Sequence, residues 1–317
     1  MMHSLFPSAS KLVYGCMGLG GNWDQSQPTS EHVAQAREVI DTALENHITV
    51  FDHADIYTLG KAEAVFGSVL KEAPALRDNM ILQSKCAIRF EDEHGPKRYD
   101  FSSKWITSSA ENSLKRLHTD YLDILLLHRP DPLMELDEVC EALSHLKETG
   151  KIKQVGVSNM HSHQIAYLQQ ALDMPIVVNQ VEMSLGFRDW VEEGMTTGSP
   201  ENRAMGFAPG TMEYCMLNNV QLQAWGSLAQ GRFSGGQFHE DNDKSVAALV
   251  SSLAADYETS PEAIVLAWLM RHPAHIQPVI GTTNPDRIRA CAQASDVTLT
   301  REHWYALLEA ARGQEIP

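Results

Sequence analysis

Residues 51–63 read FDHADIYTLGKAE and set Asp52, His53, Asp55 and Tyr57 within six positions as the chain leaves an apolar run. Two readings are open for so much polarity: a solvated loop with a capping aspartate, or a strand end that presents acid–base groups. Other apolar runs downstream end the same way, closed by Lys85, His128, Asn159, Gln180 and Trp225. A carboxylate, a phenol, an ammonium and an imidazole that meet in one place can position and move protons. Each also has a structural reading: an Asp52–Lys85 ion pair, a rim tyrosine, a strand-end histidine bonded to backbone, a glutamine satisfied by backbone. Their shared position at the ends of successive runs is what points to a site.

The elements that must carry these groups are legible as a repeated pattern. Short apolar runs recur at 13–18 (VYGCMG), 49–54 (TVFDHA), 80–85 (MILQSK), 122–128 (LDILLLH), 153–159 (KQVGVSN), 175–182 (PIVVNQVE), 220–225 (VQLQAW) and 277–283 (QPVIGTT). Helix-like stretches separate them. In SEHVAQAREVIDTALENH, Val33, Ala36, Ile40, Ala43 and Leu44 share a face behind Ser30 as expected N-cap. The helix near 135–149 stops at Gly150, and Asn284 with Pro285 opens a helix after the last run. Eight runs alternating with helices predict an α/β fold, a (β/α)8 TIM barrel, with an open doubly wound sheet as the other possibility. The barrel accounts for the polar endings, because the C-terminal strand ends of this fold converge over one mouth. The tail TREHWYALLEAARG predicts an extra C-terminal helix, and the whole of 1–317 reads as one barrel domain. The long connection at 183–219 reads either as a substrate-covering insert or as a decorated surface loop.

Composition narrows the class. Lys plus Arg number 25 against 41 acids, a formal charge of −16 that repels phosphate backbones and anionic lipid. Nucleic-acid and membrane partners are therefore not expected. The five cysteines are scattered without a CxxC, as in reduced proteins of the cytosol. MMHSLFPSAS has no basic export region, and the most apolar run, 122–127, is far short of a membrane span. A cytoplasmic protein is expected.

FDHADIY, followed by Lys85 after one strand and His128 after the next, resembles the aldo-keto reductase superfamily, and HADIY, SKC and LLLHRPDPLM resemble a bacterial subgroup of predicted oxidoreductases within it. The Asp, Ala, Tyr spacing of that superfamily is met by Asp52, Ala54 and Tyr57. The resemblance implies a (β/α)8 barrel that reduces carbonyl groups with NAD(P)H and without a metal. It implies Asp52, Tyr57, Lys85 and His128 as the catalytic residues. Hydride delivery to a carbonyl carbon leaves a developing oxyanion that needs a proton donor and hydrogen-bonding groups. Tyr57 is the expected donor, with its pKa lowered by a Lys85 ammonium that Asp52 holds in place. His128 is expected to orient the carbonyl oxygen as a neutral donor. His53, adjacent to Asp52 on an extended backbone, points the other way, and neither it nor Asp55 is expected to act.

For the cofactor, the resemblance assigns the nicotinamide amide to Ser158, Asn159 and Gln180, with Trp225 stacking on the ring. Neutral amides suit a carboxamide, which both donates and accepts. GSLAQGRF resembles a pyrophosphate-covering loop and contributes Ser227, Leu228 and Gly231. Gly281, Thr282 and Thr283 line the last strand end, where many relatives carry a Lys or Arg. Arg287, on the helix opened by Asn284, is the expected partner of a 2′-phosphate, so NADPH (NADP+) is expected over NADH. GCMGLGGNW at 15–23 lacks the final glycine of GxGxxG and is read as a turn near the cofactor.

Two other functions fit parts of the sequence. One is a nicotinamide-binding redox sensor with little turnover. The other is a metal-dependent barrel isomerase or hydrolase built on Asp52, His128 and Glu182, with HSH at 161–163 expected on a helix surface. The expected substrate is a small carbonyl compound, whether aldehyde, ketone, quinone or sugar, and no motif specifies an oligomer.

Overall fold

Residues 5–200, 205–239 and 241–317 are described by a computed structural model. Residues 1–4 of the N-terminal stretch and 201–204 of the long connection lie outside them. The eight apolar runs form β1 (Val13–Gly15), β2 (Val50–Asp52), β3 (Ile81–Cys86), β4 (Leu122–Leu127), β5 (Ile152–Ser158), β6 (Ile176–Glu182), β7 (Gln221–Trp225) and β8 (Gln277–Ile280). All pair in parallel, each with its neighbours in the chain, and β8 pairs with β1 to close the barrel. Closure leaves no unpaired edge in the barrel.

The helices are α1 (Ser30–Glu45), α2 (Lys61–Glu72), α3 (Ser103–Leu117), α4 (Leu136–Glu148), α5 (Ser162–Gln169), α6 (Asp189–Met195), α7 (Thr211–Leu217), α8 (Asp243–Asp256), α9 (Pro261–Met270), α10 (Pro285–Ala292) and α11 (Arg301–Arg312). The N-cap of α1 is Thr29, not Ser30; its amide donates to His32 Nδ1 at 3.0 Å in a capping box. A histidine three residues into the helix replaces the usual Glu or Gln, which is why the box is hard to read in sequence. At α10, Asn284 Oδ1 accepts from the Asp286 and Arg287 amides at 2.8 and 3.3 Å. The C-terminal α11 packs on the barrel through Trp304, which stacks on Trp268 with centroids 5.3 Å apart.

Alternation along each strand divides the buried residues into two layers. Outward side chains meet the helices in one large cluster, among them Phe51, Leu82 and Leu125. Inward ones form a smaller cluster at the barrel floor: Val13, Val50, Ile81, Ile124, Leu126 and Val178. Above that floor the interior turns polar. Gln83 Nε2 donates to Asp52 Oδ1 at 2.6 Å and to Gln223 Oε1 at 2.8 Å, and Gln180 Nε2 donates to Gln223 Oε1 at 3.1 Å. These amides support the mouth where the strand-end residues gather. Among the described residues no helix is long and apolar enough to cross a membrane.

Candidate active site

Register places the acid–base groups. Asp52 ends β2 opposite Gln83, and Lys85, two residues further along β3, points inward one pleat higher. The Lys85 ammonium is buried and lies 2.7 Å from each Asp52 oxygen, 3.0 Å from the His53 carbonyl and 2.9 Å from Tyr57 Oη. Burial opposes its charge, but the Asp52 carboxylate and the Tyr57 phenol overcome that and hold its pKa above the ordinary lysine value. Tyr57 opens a short turn in which Thr58 and Leu59 take left-handed backbone with φ of 46° and 61°. Thr58 Oγ1 anchors this turn to the Leu19 carbonyl at 3.0 Å.

The phenol departs from expectation in one respect. Burial raises the pKa of Tyr57; Lys85 pulls it down, Asp52 pushes it up, and the net value stands above the ordinary one. The carboxylate that fixes the lysine also cancels part of its pull. His128 follows β4, its ring edge-on to Tyr57 with centroids 6.1 Å apart. Burial, with Lys85 and Arg129 nearby, lowers its pKa to about 2, so the imidazole is neutral. His53 faces the outer layer against Phe66, centroids 4.6 Å apart, as its place in the strand predicts.

A cavity of about 650 Å³ opens over these groups. Asp52, Tyr57 and His128 line it together with Ser158, Asn159, Gln180, Trp225, Ser227, Leu228, Gly231, Gly281, Thr282 and Arg287. Two expected site residues do not reach it: Lys85 lies beneath Asp52 and Tyr57, and the Thr283 methyl turns toward Gly18. The side-chain carbonyl of Gln180 accepts no hydrogen bond among the described residues, while its Nε2 donates to Gln223 Oε1 at 3.1 Å. Asn159 spends both ends of its amide on the protein, donating to Ser158 Oγ at 2.8 Å and accepting from Trp225 Nε1 at 3.0 Å. At the far end Arg287 is half exposed, 3.5 Å from Glu262. Gly231, at φ +82°, lets the covering loop approach it, since a Cβ there would sit 3.0 Å from the guanidinium. An aromatic wall, a free amide carbonyl and a cation at the other end fit the ring and phosphates of a nicotinamide dinucleotide.

Sequence reasoning missed Arg129, Met17 and Trp23, which also line the cavity. Arg129 directly follows His128, and that adjacency is the signal that could have found it. Gly20 and Gly21 of the glycine-rich stretch serve packing: a Cβ on Gly20 would lie 2.7 Å from the Lys61 backbone and one on Gly21 2.8 Å from the His32 ring. His161, expected on a helix surface, instead caps α5 half-buried, its Nδ1 accepting from the Gln164 amide at 3.4 Å. Among the described residues no three His, Cys, Asp or Glu side chains gather as a metal site.

Comparison with known proteins agrees with this architecture. The Aldo/keto reductase family profile matches residues 11–312. A 6-dehydroglucose reductase of Agrobacterium fabrum is 36% identical over 97% of this chain and 96% of its own. Oxidoreductase YdhF of Escherichia coli is 35% identical over 98% and 96%. The solved structure of an aldo/keto reductase from Klebsiella pneumoniae in complex with NADP and acetate superposes with a TM-score of 0.71 at 25% identity, covering 98% of this chain and 93% of that one. With the barrel, the strand-end residues and these relatives in agreement, the chain belongs to the aldo/keto reductase family, oxidoreductases that reduce small carbonyl compounds with a nicotinamide cofactor.

Proposed function

We propose that this protein reduces an aldehyde or ketone to the alcohol with Tyr57 as proton donor and NADPH as the preferred cofactor. The observation that carries the reading is the saturation of Lys85. An ammonium has three protons and no lone pair, and here they go to Asp52, the His53 carbonyl and Tyr57 Oη. Tyr57 Oη is therefore an acceptor toward Lys85, and its own proton is free to point into the cavity.

A nicotinamide cofactor would supply the hydride. Tyr57 would give its Oη proton to the carbonyl oxygen of the substrate, and the phenolate that remains would be held by the Lys85 ammonium. His128, neutral, donates to the same oxygen and sets its direction. A positioned acid of this kind contributes roughly 10²–10⁴-fold to rate. In alcohol oxidation the roles reverse and the Tyr57 phenolate takes the proton. Gln180, Ser158 and Asn159 would hold the carboxamide, with Asn159 exchanging its present partners for it. Trp225 would stack on the ring, and Ser227, Leu228, Gly231, Gly281 and Thr282 would line the phosphate path. Lys85 acts through Tyr57, whose oxygen it holds at 2.9 Å, and Thr283, turned toward Gly18, takes no part in the lining.

Titration with NADPH and NADH, followed by quenching of tryptophan fluorescence, tests the cofactor reading. Saturable quenching that is tighter for NADPH is expected; no quenching by either cofactor would overturn it.

A further inference from the structure

A second cavity of about 340 Å³ lies beside the first, between the ends of β5 and β6 and the long connection. Arg129, Asn159 and Trp225 line both cavities and form their common rim. Phe187 and Phe207 form an apolar wall, and two charged residues, Arg129 and Glu182, face the space.

Among the described residues the Arg129 guanidinium makes no hydrogen bond and no ion pair; its nearest aromatic neighbour is Trp225, with the ring centroid 5.9 Å away. Glu182, the last residue of β6, accepts no hydrogen bond and pairs with no cation there. Burial raises its pKa and Arg129 lowers it, so the two sense each other without meeting. Both side chains are half-buried and neither is neutralised by the other, so each keeps its hydrogen-bonding capacity for whatever enters the cavity.

From this arrangement we infer that the second cavity is a subsite for a neutral, polyhydroxylated carbonyl substrate, with Arg129 and Glu182 as its specificity residues. An anionic tail would satisfy Arg129 but meet Glu182, and a cationic tail would meet the reverse. A chain of hydroxyl groups satisfies both, accepting from the guanidinium and donating to the carboxylate. The faces of Trp225, Phe187 and Phe207 suit the C–H bonds of such a chain. With its carbonyl at Tyr57 and His128, the substrate would pass over Arg129 at the rim. The inference rests on the proposed carbonyl reduction.

The test compares aldehydes of equal chain length, D-erythrose and butanal, in NADPH oxidation by the wild type, Arg129→Leu, Arg129→Lys and Glu182→Gln. In parallel, calorimetry measures binding of D-glucitol, which carries no carbonyl to reduce, to the same proteins with NADPH present. The wild type should favour erythrose in kcat/KM. That preference should fall at least tenfold in Arg129→Leu and Glu182→Gln, through KM rather than kcat, with part of it kept by Arg129→Lys. Glucitol binding should weaken in the same order. Reduction of both aldehydes with a ratio that no variant moves would overturn the subsite and leave the reductase reading standing. A preference for a carboxylated aldehyde such as glyoxylate, lost in Arg129→Leu and kept in Glu182→Gln, would overturn the polyol class in favour of an anion. Glucitol binding that depends on both residues, with no aldehyde reduced, would support the subsite and overturn the reductase reading.

Discussion

Lys85 stands 2.9 Å from the Tyr57 oxygen while the same ammonium is clamped between both oxygens of Asp52 at 2.7 Å. The lysine therefore cannot turn away from the phenol without abandoning a buried carboxylate. Stability and chemistry are tied at one atom, and substitution should separate them.

Lys85→Met strands the Asp52 carboxylate, and removal of one partner of a buried pair costs about 3–5 kcal/mol. Urea unfolding should register that loss, and carbonyl reduction should fall by at least 10²-fold. Adding Asp52→Asn should recover much of the stability but not the activity. Turnover near the wild-type level in Lys85→Met would remove the lysine from the mechanism.

Arg287 lines the main cavity on the α10 side, half exposed and only loosely held by Glu262 at 3.5 Å. Arg287→Gln should weaken NADPH binding by roughly tenfold or more, the loss of a charge-assisted contact, and change NADH binding little. Fluorescence titration of the variant with both cofactors decides it. Equal weakening of the two would assign Arg287 to a part that they share.

Asp55 gives a pH-dependent prediction away from the reaction. Its carboxyl is pushed up from 3.8 to about 7, first by burial and then by Glu63, and its Oδ1 has no hydrogen-bond partner among the described residues. The folded state holds this proton more tightly than the unfolded chain does, so the stability it contributes is complete below about pH 4 and is lost as pH rises through 7. His53 and His128 have the opposite sign: held down to about 3 and about 2, they cost stability as pH falls below the ordinary histidine range. Those two terms are common to the wild type and Asp55→Asn and cancel in the difference. Asp55→Asn should therefore be more stable than the wild type in urea at pH 8 and little different at pH 4. An equal offset at both pH values would contradict the assignment.

The eight strands and their polar ends were legible because each inward strand-end residue belongs to a short run with its own punctuation. Asp52 and His53 could be told apart by alternation alone. The interior amides were not. Gln83, Gln223 and Gln277 look like ordinary strand residues until closure brings three distant strands together, and their bonds span up to 140 positions in sequence. The net direction of the Tyr57 shift was equally hidden, because it is a balance of burial against Lys85 and Asp52 that no spacing encodes. Arg129 and Glu182 were visible as types, but that neither makes a side-chain hydrogen bond or ion pair among the described residues is a fact of three dimensions. The cap at Thr29 was missed for a local reason, since His32 stands where a Glu or Gln would announce the box.

The most direct test of the account is Tyr57→Phe, which removes the phenol oxygen and little else. NADPH oxidation with an aldehyde substrate, measured beside NADPH binding by tryptophan quenching, should show turnover lowered by 10²–10⁴-fold with the dissociation constant changed less than about threefold. Turnover that survives in this variant would contradict Tyr57 as proton donor, and with it the mechanism proposed for the site.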